Sequence, residues 1–83
     1  MEIIKLKNIE RKDSLIHYIN KYDCIIAYKS DDKIHENKIG IILEKTALGT
    51  TNIQLEVKNA ALQSSIESIK EYIGKQNKKG VFV

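Results

Sequence analysis

Leu48-Gly49-Thr50-Thr51-Asn52-Ile53-Gln54-Leu55-Glu56-Val57-Lys58-Asn59-Ala60-Ala61-Leu62 is the stretch on which the fold turns. Ile53, Leu55 and Val57 alternate with Gln54 and Glu56, the period of a strand with one buried face, and the same residues also open a helix. Periodicity alone selects the strand. On the helical reading, Val57, Ala61, Ser65 and Ile69 run on through Leu62, Ile66 and Ile73 as one broad face, small residues toward one edge and bulky ones toward the other.

Upstream, Ile39, Ile41 and Leu43 alternate with Lys38, Gly40 and Ile42 until Glu44 and Lys45 end the run, the pattern of a mostly buried strand. Before it, Cys24-Ile25-Ile26-Ala27-Tyr28 is a compact, β-branched apolar run, and Ser30-Asp31-Asp32-Lys33 supplies turn residues, so the two strands form a hairpin. Leu15, Ile16, Ile19 and Tyr22 recur at helical spacing behind the possible caps Asn8 and Asp13, which predicts a first helix. Glu2 to Lys7 alternates imperfectly and suits a short strand or extended arm.

Helix, strand, strand, strand, helix is the order of the double-stranded-RNA-binding domain, and from Leu15 to Ile73 the chain resembles that family. Leu15-Ile-His-Tyr-Ile-Asn-Lys-Tyr22 is similar to its first helix, Tyr28 stands at the tyrosine of its first strand, and His35 with Ile39 resembles its Gly-Pro-x-His loop without the Gly-Pro. Gly49 to Leu62 is similar to its Gly-x-Gly-x-Ser-Lys-Lys-x-Ala-Lys-x-x-Ala-Ala signature. Gly49, Lys58 and Ala61 match outright, Thr51 replaces the second glycine and Val57 the first alanine. The resemblance implies that Thr46 to Thr51 form strand three and that a second helix starts near Asn52 or Ile53. The expected architecture is α-β-β-β-α, a three-stranded antiparallel sheet with two helices packed on one face and a short N-terminal arm, in a single domain over residues 1–83 with its core in 9–77.

Such domains grip duplex RNA by shape, across two minor grooves and the intervening phosphates. The resemblance therefore implies RNA contacts from His17 on helix one, Lys33 and His35 in the first hairpin, and Gln54 and Lys58 at the start of helix two. Where the family has adjacent lysines this chain has Gln54 and Leu55, which removes about two released counterions and weakens affinity. Leu55 beside Ile53 suits burial against a protein partner instead.

Composition narrows the classes. A chain of 83 residues with a net charge of +3 closes one core, and it is less basic than most dedicated binders of phosphate backbones. Cys24 is the only cysteine, which excludes an intrachain disulfide and a CxxC pair and points to a reducing, cytoplasmic compartment; it reads as a small core residue and not as a nucleophile. No apolar run approaches the ~18 residues of a membrane span. Asp31, Asp32, His35 and Glu36 lack any ligand spacing and read as a solvated turn, so neither a metal nor a cofactor is expected. Thr50 and Thr51 beside Gly49 lack the lysine of a phosphate loop. Lys75, Lys78 and Lys79 offset the negative end of the last helix or extend a basic surface toward phosphate, and Val81-Phe82-Val83 is an apolar tail. The expected function is non-catalytic binding of double-stranded or structured RNA. The alternative is a protein-binding or dimerising copy of the fold using Ile53 and Leu55. A third option, a ferredoxin-like regulatory domain, follows if Thr51 to Lys58 and Lys79 to Val83 are strands.

Overall fold

Three long runs and one short run of alternating apolar residues pair in sequence order, forming a four-stranded antiparallel meander with its helices at the C-terminal end. The computed structural model describes residues 1–12 and 18–82. Its strands are β1 (Glu2–Lys12), β2 (Ile19–Ser30), β3 (Lys33–Lys45) and β4 (Thr51–Glu56), followed by α1 (Ala60–Gln63) and α2 (Ile66–Lys78).

The hairpin of β2 and β3 is as the turn residues predict. Ser30 pairs with Lys33, and Asp31 and Asp32 between them take φ of 54° and 61°. Two left-handed residues in a two-residue loop make a type I′ turn, whose twist matches that of the strands it joins. Tyr22, Cys24, Ile26 and Tyr28 of β2 lie opposite Ile41, Ile39, Asn37 and His35 of β3, so the alternate residues of both strands line one face.

In β1 the apolar residues Ile3, Leu6 and Ile9 recur every third position, which an uninterrupted strand would scatter over both faces. Two irregularities, between Ile3 and Lys5 and between Lys7 and Glu10, each add one residue relative to β2, and Asn8 takes φ of 53° at the second. These bulges bring all three side chains back to the core. The segment expected as a short arm is a full edge strand.

The expected three-stranded α-β-β-β-α architecture is wrong at the decisive stretch. Thr51–Glu56 is strand β4, paired Ile53 to Leu43 and Leu55 to Ile41, and Thr46 to Thr50 is the turn before it. The period of two prevailed because Ile53 and Leu55 complete the apolar face begun by β2 and β3. Helix begins only at Asn59, whose side chain accepts from the Ala61 N–H at 2.8 Å and caps α1. The expected first helix fails where it is described: Ile19 to Tyr22 belongs to β2, and residues 13–17 lie outside the described residues.

Leu62, Ile69 and Ile73 bring the helices onto the apolar face of the sheet, where none of the three retains exposure. The strands make the molecule 41 Å long, whereas α2, at ~1.5 Å per residue, spans about 20 Å. Gly74 lies above Ile53, and beyond the helix Phe82 stacks at 5.2 Å on Tyr22, whose hydroxyl donates to the Phe82 carbonyl oxygen at 3.1 Å. The C-terminal half of α2 and the tail therefore cover the end of the sheet remote from the β2–β3 turn. The ferredoxin-like option is right about β4 but not about the tail, which docks through Phe82 and contains no strand up to residue 82.

Candidate functional site

The second face of the sheet carries no helix among the described residues, and its residues follow from the register. Glu2, Lys5, Lys7, Glu10 and Lys12 of β1 stand beside Lys21, Asp23 and Lys29 of β2, then Glu36, Lys38 and Glu44 of β3 and Glu56 of β4. Lysines and carboxylates are equal in number there. Lys7 pairs with Glu36, and Lys12 reaches Asp23 at 2.9 Å. That hydrogen bond, more than the accompanying charge attraction, raises the Lys12 pKa above its usual value.

A trough of about 900 Å³ crosses this face, lined by Asn8, Glu10, Asp23, Lys38, Glu56 and Lys58 among others. Gly40, paired with Glu56, has no side chain of its own, and the Glu56 side chain leans over it. Three carboxylates against two lysines make the trough a poor seat for phosphate.

The residues expected to bind RNA are not brought together. Lys33 and His35 sit just after the β2–β3 turn, His35 stacked at 5.3 Å on Tyr28 on the helix-covered side. Gln54 faces the other way, opposite Ile42, nine residues along β3 from Lys33 and so about 30 Å distant. Lys58 follows β4 and lines the trough. His17 lies outside the described residues. Ile53 and Leu55, expected as a partner surface at an exposed helix start, are half-buried against the core. Asp31 and Asp32 form the turn, and among the described residues no three His, Cys, Asp or Glu side chains are grouped to hold a metal ion.

A different cluster emerges at the opposite end. Through Glu71, cationic and anionic residues are equal in number, so the whole excess of +3 is carried by Lys75, Lys78 and Lys79. Since Gly74 overlies Ile53 and Phe82 meets Tyr22, these lysines lie at the end of the sheet that also bears Arg11, Lys12, Lys21 and Lys45. Lys12 and Lys21 face each other directly across β1 and β2, an arrangement that costs about 0.2 to 1 kcal/mol without an anion to share. Tyr18 is 55% exposed here, its carbonyl accepting from the Lys45 N–H at 2.9 Å. Sequence spacing alone left Lys12, Lys21 and Lys45 unconnected because only strand pairing aligns them.

Fold and surface define a small α+β protein, an antiparallel four-stranded meander with C-terminal helices on one face, a charge-balanced second face and one basic end. The chain belongs to a protein family designated by a locus tag and by no activity, whose model matches residues 1–78. No curated protein and no solved structure matches it.

Proposed function

We propose that the protein is a non-catalytic module that binds structured RNA through its basic end. The observation that carries this reading is the concentration of the entire positive excess on Lys75, Lys78 and Lys79, beside Arg11, Lys21 and Lys45. Lysine ammonium groups neutralise phosphates without regard to sequence, and the release of counterions drives the association. The exposed Tyr18 ring next to Lys45 offers a stacking surface for an unpaired base. Lysines in the last turn of a helix also offset its dipole, but that role does not call for cations on the neighbouring strands. The free, buried thiol of Cys24 suits a reducing, cytoplasmic compartment.

The test is fluorescence anisotropy with a labelled RNA hairpin, duplex RNA, duplex DNA and single strands over a range of salt. Lys75→Gln/Lys78→Gln/Lys79→Gln is expected to lower the slope of log affinity against log salt by about 2 to 3, while Lys58→Ala leaves it unchanged. Tyr18→Ala is expected to weaken the hairpin by about 1 to 3 kcal/mol and the duplexes little. A slope that the triple variant does not change, or equal binding of DNA and RNA, counts against the reading.

A further inference from the structure

β4 is half the length of β3, and the mismatch leaves a bare edge. Pairing between them stops at Gly40 and Glu56, so along Lys33 to Ile39 one side of β3 is bonded to β2 while, among the described residues, no backbone group pairs with the other. The chain does not return to cover it: after Glu56 it crosses onto the helix-covered face, where Gln63 Nε2 donates to the Val57 carbonyl and Leu62 enters the core. The opposite edge of the sheet, β1, is disrupted by two bulges, a common protection against unwanted pairing. The free run of β3 has neither a bulge nor a proline, and it exposes Ile34 at 68%.

We propose that a second copy of this chain occupies this edge, two β3 strands pairing antiparallel about a two-fold axis into a continuous eight-stranded sheet. An axis perpendicular to the sheet keeps each face on its own side, so only residues of equal parity stand opposite each other. Centring the axis on Glu36 opposes two carboxylates, and centring it on Ile34 opposes Asp32 to Glu36. Centring it on His35 opposes Asp32 to Lys38 twice, Lys33 to Asn37 twice and Ile34 to Glu36 twice, with no like-charged carboxylates or lysines in register. The two Ile34 side chains become diagonal neighbours on the open face and lose exposed apolar surface. The His35 imidazoles, each stacked on its own Tyr28, lie side by side at the axis. The basic ends remain free at the far ends of the assembly.

Sedimentation equilibrium of the full chain without RNA measures this association independently of the proposed function. The wild type is expected to dimerise, and Lys38→Glu, which sets a carboxylate against Asp32, to raise the dimer Kd about tenfold with an unchanged circular dichroism spectrum. Asp32→Asn in the Lys38→Glu background, which removes the repulsion, is expected to restore most of the affinity. Under mild oxidation His35→Cys is expected to form a disulfide-linked dimer faster than Lys29→Cys, because only a residue at the axis meets itself. A chain that stays monomeric up to roughly 1 mM, an unaffected Lys38→Glu variant, or equal crosslinking of the two cysteine variants overturns the proposal.

Discussion

Cys24 shows how a residue's surroundings decide its chemistry. Its thiol sits on the core face of β2 opposite Ile39 at 3% exposure, and burial first, then the neighbouring Asp23 charge, pushes its pKa from 9.0 up to about 11. The folded state therefore holds its proton where the unfolded chain releases it. Stability from this group is fully present below pH 9 and is lost as pH rises toward 11. Over that window the wild type is expected to lose about 2 to 3 kcal/mol more than Cys24→Ala does, read from urea unfolding at each pH. Equal losses would show that the thiol ionises as freely in the fold as outside it. At neutral pH the same burial is expected to leave Cys24 unreactive to alkylation until the chain unfolds.

At the scale of elements, β1 and α2 carry the informative departures from regularity. Ile3, Leu6 and Ile9 reach the core only because two bulges convert a spacing of three into a strand face. In α2, Gly74 occupies the helix interior, where glycine costs about 1 kcal/mol relative to alanine. A Cβ there would rest 3.6 Å from Ile53 Cδ1, an ordinary contact, so no close approach demands glycine. Gly74→Ala is accordingly expected to stabilise the protein by about 0.5 to 1 kcal/mol and to raise Tm by a few degrees in calorimetry. A drop in Tm would place α2 closer to β4 than the 3.6 Å gap implies.

For the whole molecule, the tail is the clasp between chain positions far apart in sequence. Phe82 is buried against Tyr22 and accepts its hydroxyl hydrogen bond, joining the C-terminus to the second strand and setting the last turn of α2 over the basic end. Phe82→Ala is expected to cost about 2 to 4 kcal/mol in denaturant unfolding, whereas the exposed Val81→Ala costs little. A loss under about 0.5 kcal/mol, on the order of a surface substitution, would show the tail undocked in solution. If RNA binding depends on lysines gathered at this end, Phe82→Ala also weakens it with the lysines untouched.

The β2–β3 hairpin was legible in the chain because its information is local: the runs around Cys24 and Ile41 alternate, and Asp31-Asp32 suits a left-handed turn. The single core, the small buried thiol and the α+β class were likewise legible. The resemblance to a known signature misled at Thr51 to Lys58, where plain alternation was the better guide, since a strand's buried face is a property of period and a motif match is not. The candidate site was legible only as the lysines near the C-terminus. Their company, Lys12 facing Lys21 with Tyr18 beside Lys45, comes from strand register and from Phe82 docking on Tyr22. By itself the sequence determined which segments have a face to bury. Which faces meet, which edge of β3 stays bare and where the charge gathers were decided by tertiary structure, because they depend on pairing between residues the chain keeps far apart.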